Sequence, residues 1–406
     1  MSESARPSNR GRPEMLGEGP SIPVFDGPEG ILFDFNYGCR VQVPVSGWRV
    51  KIVDADTFNV LSNEQVEANV VIASMRKYYV RFLLEVFDGP RLVFSHTFNP
   101  TGRKIRLRMP AWALGDSIAW MPVIEAFREQ HQCEVHVPMG EHLQPLYRDG
   151  YPDLHLATEA QLKELDDTYY ATYYFGWIVP FFDRDHQPTD PRISSMQDTV
   201  AYQLGVPPGE YKPSMVLSDT ARVIADRYVC IATQSTQQRK YWNNPDGWPI
   251  LIDHLKSLGY RVLCIDRYWQ YGNDEFTNTM PEGAENFTGN RSLQDRAKML
   301  LHADFFIGLG SGLSWLAWAL GVPVVVINGF THPSTEFHTP YRVINFHACN
   351  SCLNDTSIEF APDTFERCPR FENSPNRFQC SAAITPRFVM RVVDQLVSDR
   401  RLLCSA

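Results

Sequence analysis

Four cysteines toward the C-terminus, Cys349, Cys352, Cys368 and Cys380, follow the spacing C-x2-C-x15-C-x11-C. Four thiolates suit a tetrahedral zinc or iron ion and leave no open position for a substrate. Such a site is structural, and chelation supplies folding energy to the segment around it. Unliganded thiols are the plain alternative; the poverty of core residues nearby favours the metal. The chain has nine cysteines. Cys39, Cys133, Cys230, Cys264 and Cys404 have no partner at metal spacing, and Cys230 and Cys264 read as small buried residues in strands. His338 and His347 read as bystanders.

Three further stretches carry groups that could act on a substrate. Gly308-Leu-Gly-Ser-Gly312 ends a strand pattern and opens an apolar helix. Its glycines would permit a tight turn, and amides at a helix start favour phosphate oxygens. It is not a Walker loop, because no Gly-Lys-Ser/Thr follows; an ordinary turn capped by Ser311 or Ser314 is the bland reading. Ala232-Thr-Gln-Ser-Thr-Gln-Gln-Arg-Lys240 follows another strand pattern. There Arg239 or Lys240 could clamp a diphosphate, or the two could be solvated surface cations. Leu114-Gly-Asp116 places a carboxylate at a helix start, either as a general base or as an N-cap. The aromatics Tyr169, Tyr170, Tyr173, Tyr174, Phe175, Trp177, Phe181 and Phe182 either line an acceptor groove or, the preferred reading, pack a core.

The elements that must position these groups follow from periodicity. Short β-like runs between Ile31 and Thr97, with fair alternation in Tyr78–Phe87 and with Gly, Asn, Asp and Pro in the gaps, predict a small all-β domain. From Lys104 strands alternate with helices: Ile105–Met109, a helix at Ser117–Gln130, then Glu134-Val-His-Val137. A second alternating set begins at Tyr228, with helices near 248–259, 292–302 and 312–320. Strand–helix alternation predicts parallel βαβ units, and two such sets predict two Rossmann-like domains facing a cleft. A last helix over about residues 386–403 would bury Phe388, Val392, Val393, Leu396 and Val397. The expected organisation is a disordered tail (1–22), a β domain (23–103), an N-terminal Rossmann-like domain (104–215) and a C-terminal Rossmann-like domain (216–345). A metal finger (346–384) and a C-terminal helix (385–406) follow.

Composition limits the partners. The 406-residue chain is 44% hydrophobic and 21% charged, with a net charge of −9. It can bury large cores, and it offers no broad basic surface for nucleic acid. No signal peptide or membrane-spanning stretch is visible, so a cytoplasmic protein is expected, in which paired cysteines bind metal more often than they form disulfides.

At the same residues the chain resembles a known family. Leu114-Gly-Asp116 with Pro122 resembles the catalytic loop of the lipopolysaccharide heptosyltransferases, and Lys240-Tyr-Trp242 resembles their Lys-x-Trp donor loop. Phe287-Thr-Gly-Asn-Arg-Ser-Leu293 and the stretch from Phe306 to Pro323 resemble their nucleotide-sugar segment. This resemblance covers residues 104–345. Where that wider family has Asp-Thr/Ser-Gly before the helix, this chain has Gly310-Ser311-Gly312, and Trp315 stands where His is frequent. The closer resemblance is to the bacterial autotransporter heptosyltransferases. Those are similar in having an N-terminal β domain, Cys-Ile-Ala-Thr-Gln-Ser-Thr (230–236), Lys-Tyr-Trp-Asn-Asn (240–244), Ser-Gly-Leu-Ser-Trp-Leu-Ala-Trp-Ala (311–319) and the four-cysteine finger. The resemblance implies a cytosolic enzyme that moves heptose from ADP-heptose to serines of an autotransporter adhesin. It also implies an iron ion in the finger and a ring-like dodecamer.

The combined expectation is an α/β protein of the GT-B type, with a β domain in front and a four-cysteine metal finger. Asp116 would be the catalytic base in a displacement at the anomeric carbon, inverting by family analogy. Donor contacts are expected from Thr233, Gln234, Ser235, Lys240, Gly310, Ser311, Gly312 and Leu313. Lys240 and the helix start would stabilise the departing ADP, so catalysis needs no divalent metal. One iron per chain is expected, with zinc as the alternative. Transfer to a lipopolysaccharide core acceptor is the runner-up, disfavoured by the extra β domain, the finger and the lack of a basic amphipathic face. A metal-stapled scaffold without activity is the remote alternative, which an assay of donor hydrolysis or transfer separates.

Overall fold

Strand pairing in the computed structural model, which describes residues 20–109, 113–176, 183–272, 276–358 and 368–405, divides the α/β alternation between two sheets. The chain forms two compact units. One contains residues 20–109 and 119–211, and the other contains Ala113–Ile118 and Lys212 onward.

The first unit holds β1 (Phe25–Asp26), β2 (Leu32–Asn36), β3 (Arg40–Gln42), β4 (Arg49–Asp54), β5 (Val60–Gln65), β6 (Val71–Ala73), β7 (Phe82–Asp88) and β8 (Arg91–Thr97). They are followed by β9 (Lys104–Arg108), β10 (Glu134–Pro138), β11 (Leu154–Ala157) and β12 (Ala171–Tyr174). The antiparallel sheet β5-β4-β7-β8 is a separate layer. In β7, Phe82, Leu84 and Val86 are buried and alternate with less buried neighbours, the pattern of a sheet covered on one face. The remaining strands join a larger sheet in the order β11-β10-β9-β12-β2-β3-β6, with β1 paired to β2 off that path. Part of the N-terminal β segment therefore continues the Rossmann-like sheet: β2 pairs with β12 in parallel. The parallel strands run β11-β10-β9-β12-β2, so the chain order reverses beside β9, the strand that precedes Asp116.

Tyr169, Tyr170, Tyr173, Tyr174 and Phe175 are all buried, around and within β12. They pack a core, and Trp177, Phe181 and Phe182 lie outside the described residues. The helix Met196–Leu204 closes this unit. Ser195 caps it by accepting from Asp198 N, and Gly205 ends it at φ 67°. A Cβ on Gly205 would meet the Tyr79 ring at 2.2 Å, so both φ and space demand glycine.

The second unit is built on β13 (Tyr228–Ile231), β14 (Arg261–Cys264), a hairpin of β15 (Gln270–Gly272) and β16 (Thr277–Thr279), then β17 (Glu285–Asn286), β18 (Phe306–Leu309), β19 (Val324–Ile327) and β20 (Arg342–Val343). Apart from the hairpin these form one parallel sheet, β17-β14-β13-β18-β19-β20. Counted along the chain that order is 3-2-1-4-5-6, the dinucleotide-binding arrangement. Every residue of β13, β18 and β19 is buried, as strands covered on both faces require. The helix Pro386–Ser405 covers part of this sheet through Val389, Val393, Leu396 and Val397. Its buried positions thus include Val389 rather than Val392, which is partly buried together with Phe388. Each such aliphatic side chain contributes about 1.5–3 kcal/mol by burial. No described helix is long and apolar enough to cross a membrane.

Candidate functional site

Ligands of a parallel sheet bind beyond the strand carboxyl ends where the order reverses. In the second unit that point lies between β13 and β18. The two donor-site candidates, Thr233–Lys240 and Gly310–Leu313, are the loops that leave these two strands.

The turn after β18 needs its glycines for space. None of Gly308, Gly310 and Gly312 has a left-handed φ, so the expected tight-turn role is replaced by close approach. A Cβ on Gly312 would stand 2.8 Å from Leu114 Cβ and 3.0 Å from Gly115 N. A Cβ on Gly115 would meet Trp315 Cδ1 at 3.1 Å. Leu114-Gly-Asp116 is thereby laid directly on the start of the helix Gly312–Ala319. That helix carries no side-chain cap from Ser311, and Ser314 Oγ instead donates to Leu309 O at 2.5 Å. The capping alternative for these serines therefore does not hold. Gly312→Ala is expected to cost about 1–3 kcal/mol by overpacking and to displace Asp116. A denaturation midpoint and a transfer rate both at wild-type values would show that the two turns do not touch.

Asp116 is half-buried in the first turn of the helix Leu114–His131. The helix begins two residues before it, so Asp116 is not the N-cap. Its carboxylate sits at the positive end of the helix dipole and is near enough to the Lys240 ammonium to favour its charged form. Burial lowers the Lys240 pKa; Asp116 and Glu336 oppose that shift.

Arg239 and Lys240 face different surroundings, which resolves the ambiguity of that pair. Arg239 is buried, with its guanidinium 4.7 Å from the centre of the Phe330 ring. Burial depresses it to about 10 against the influence of Cys352 and Cys368. Arg239 thus serves the cysteine segment, and Lys240 is the cation of the switch-point loops.

Thr233 and Gln234 are held by a residue that the sequence reading missed. Asp266, one residue beyond Ile265 and the end of β14, accepts from Thr233 N at 2.8 Å, Thr233 Oγ1 at 3.0 Å and Gln234 N at 3.2 Å. Burial raises its pKa and these bonds counter the rise. The Thr233 hydroxyl is therefore engaged within the protein. Gln234 Nε2 is buried without a hydrogen-bond partner among the described residues, a donor available to a ligand. Ser235 offers its carbonyl to Tyr241 Oη at 2.6 Å. The signal for Asp266 was present, as an acid just past a parallel strand's carboxyl end.

The Lys-Tyr-Trp-Asn-Asn string does more than carry Lys240. Trp242 Nε1 donates to Ile384 O at 2.8 Å, Asn243 Nδ2 to Ser381 Oγ at 2.8 Å and Asn244 Nδ2 to Ala382 O at 3.0 Å. The lysine loop is thus bound to the chain that leaves Cys380. Gly329-Phe330, just past β19, receives both halves of the cysteine segment. Ser351 N donates to Gly329 O and Leu353 N to Phe330 O, and a Cβ on Gly329 would meet Cys380 O at 2.5 Å.

Cys349 and Cys352 interact through their side chains, and the charges of Cys349 and Cys368 bear on Cys380. Burial, reinforced by neighbouring thiols, pushes Cys352 and Cys380 up to about 12. Burial raises the single core thiol Cys133 to about 12 as well, so the shift reports burial and not a ligand set. Arg370 donates to Cys349 Sγ at 3.4 Å and to Asp355. Cys39, Cys133, Cys230 and Cys264 are buried and unpaired, as single core thiols.

Among the described residues, a group of three ligand-type atoms within 4.8 Å of one another is formed instead by Glu134, His136 and His155 on β10 and β11. Hydrogen bonds account for two of the three: His136 Nε2 meets Glu134 Oε1 at 2.8 Å and its Nδ1 meets Tyr169 Oη at 3.1 Å, while His155 Nε2 lies 3.9 Å from the same Glu134 oxygen. Lys104 and Arg106 are registered beside Glu134 and His136 and oppose a further cation.

Comparison with known proteins agrees with this geometry. The glycosyltransferase family 9 (heptosyltransferase) profile matches residues 182–359, and that of the glycosyltransferase TibC N-terminal domain matches 27–90. The autotransporter heptosyltransferase BAHTCr of Citrobacter rodentium is 44% identical over 93% of this chain and 91% of its own length. The inactive autotransporter heptosyltransferase BimC of Burkholderia thailandensis is 39% identical over 92% and 87%. The crystal structure of TibC from enterotoxigenic E. coli, a dodecameric iron-containing heptosyltransferase in complex with ADP-D-β-D-heptose, superposes with a TM-score of 0.90. It is 42% identical, and the match covers 94% of this chain and 99% of that one. This chain belongs to the autotransporter heptosyltransferases, within glycosyltransferase family 9.

Proposed function

We propose that this protein transfers heptose from ADP-heptose to serine hydroxyls of an autotransporter adhesin, with inversion, in the cytoplasm. The observation that carries this reading is the switch-point cluster. It places a half-buried acid, Asp116, beside the ammonium of Lys240, at the uncapped start of the helix Gly312–Ala319, on a sheet of dinucleotide-binding order. The serine oxygen attacks the anomeric carbon, the bond from that carbon to the phosphate oxygen breaks, and the hydroxyl proton passes to Asp116. ADP leaves with its new charge opposed by Lys240 and the helix amides. The Gln234 amide, without a partner among the described residues, is a further donor contact, and Asp266 holds the loop that presents it. Ser311, Gly312 and Leu313 act through backbone at the helix start, with Gly310 leaving room beside it. The fold is read as the GT-B type by family likeness, with the acceptor side assigned to the first unit.

Cys349, Cys352, Cys368 and Cys380 would hold one iron, which fills their tetrahedral need and has a structural task; zinc shares that geometry. Assembly as a dodecamer goes with this reading, by likeness to TibC.

Family membership does not by itself make an active enzyme, since BimC is an inactive relative. The test is co-expression with an adhesin passenger fragment, followed by mass spectrometry of the fragment. Heptose on its serines supports the proposal. An unmodified passenger, with the protein folded and ADP-heptose supplied, overturns it.

Lys240→Ala is expected to weaken ADP binding roughly 10- to 100-fold, the worth of a charged hydrogen bond, with a small change in Tm. Calorimetry with ADP checks it. Wild-type affinity would remove Lys240 from the diphosphate site.

A further inference from the structure

Glu336 is a buried carboxylate at the donor loops whose one task so far is to oppose, after Asp116, the desolvation of Lys240. It follows the short turn Pro333–Thr335, and its side chain is 5% exposed. Arg342 Nη1 donates to Oε2 at 2.6 Å, and Asn328 Nδ2 approaches Oε1 at 3.3 Å. Asn328 is itself fixed, because its Oδ1 accepts from Phe330 N at 2.9 Å.

The position of Oε1 is the informative part. A Cβ on Gly310 would stand 2.4 Å from Glu336 Oε1 and 2.3 Å from Asn328 Nδ2. The carboxylate and the amide therefore occupy the space that a side chain at residue 310 would fill, against the turn that opens the helix Gly312–Ala319. The ion pair with Arg342 explains how the charge is tolerated inside the protein. It does not explain its position beside a lysine and a helix start that favour an anion. A second anion there weakens diphosphate binding unless it recognises another part of the same ligand. Next to the diphosphate of a nucleotide-sugar stand the sugar hydroxyls, and a carboxylate accepts O–H hydrogen bonds strongly.

We propose that Glu336 binds the transferred sugar, with Oε1 accepting from a hydroxyl of the glycosyl unit and Arg342 and Asn328 holding the carboxylate in place. The proposal rests on the donor reading above and deepens it. Glu336 becomes the group that distinguishes the sugar-bearing donor from the bare nucleotide. A site built around such an acceptor also discriminates against donors lacking that hydroxyl.

The test compares ADP with ADP-heptose on the intact protein. Glu336→Gln keeps shape and a hydrogen bond to Asn328. It is expected to favour ADP-heptose over ADP about 10- to 100-fold less than wild type does, and to lose kcat/KM by a similar factor. Glu336→Asp, which keeps the charge but withdraws the oxygen, should show the same selectivity for the sugar at a smaller size. An unchanged preference of Glu336→Gln for ADP-heptose over ADP overturns this proposal and leaves the donor reading intact. So does a parallel loss of both ligands together with a fall in Tm in both variants, which marks a structural pair. Failure of wild type to bind ADP-heptose at all overturns both.

Discussion

Asp116→Asn is expected to fold, to bind ADP-heptose and to transfer heptose about 10²- to 10⁴-fold more slowly, the usual worth of a general base. The variant is chosen because Asn caps helices as well as Asp does, and because the helix already begins at Leu114. A stability role for this side chain as a cap is therefore small. Removing its charge also removes one of the two carboxylates that oppose the desolvation of Lys240. ADP affinity should consequently be measured alongside the rate. A rate near wild type would end the assignment of Asp116 as base. Lost ADP binding would instead make Asp116 a partner that sets the charge of Lys240.

Cys380→Ser is expected to release the metal and to disable the lysine loop together. Structural thiolate sites contribute on the order of 10 kcal/mol of binding energy, so loss of one ligand is felt by the whole finger. The route to the donor site is short. The chain after Cys380 receives hydrogen bonds from Trp242, Asn243 and Asn244, and Lys240 stands just ahead of those three. Elemental analysis, the colour of a ferric thiolate site, sedimentation and ADP calorimetry read the consequences separately. Metal loss with weakened ADP binding supports the linkage. A colourless, metal-free wild type would overturn the metal site. A metal-free variant that binds ADP normally would show that the loop stands on packing alone. Cys352→Ser should lose metal too, with Arg239 and Phe330 as its link to the same loop.

Local pattern made much of the second unit legible. Strand, glycine turn and apolar helix from Phe306 to Ala319 were readable because polarity, period and punctuation all change within a few residues. The aromatic run at 169–175 was harder, since β12 is buried on both faces and shows no alternation. The division of the N-terminal strands between two sheets was not visible either. A strand's partner depends on contacts far away in sequence, as when Ala171 registers with Phe35.

The sequence alone determined which groups are available. It supplied an acid after a glycine at a helix start, a cation after a parallel strand, an uncharged glycine turn and four thiols. Those depend on residue type and on short spacing, which the chain carries without folding. Tertiary structure decided what each group faces. It turned Arg239 toward the cysteines and Lys240 toward Asp116 and Glu336, and it showed that Gly310 and Gly312 are small to let other elements come close. It brought in Asp266 from the loop after β14, and Asn328 and Glu336 from the connection between β19 and β20. Neighbouring residues diverge and distant ones meet because strand order gathers the loops at the switch point, and burial then sets the charge each side chain can hold.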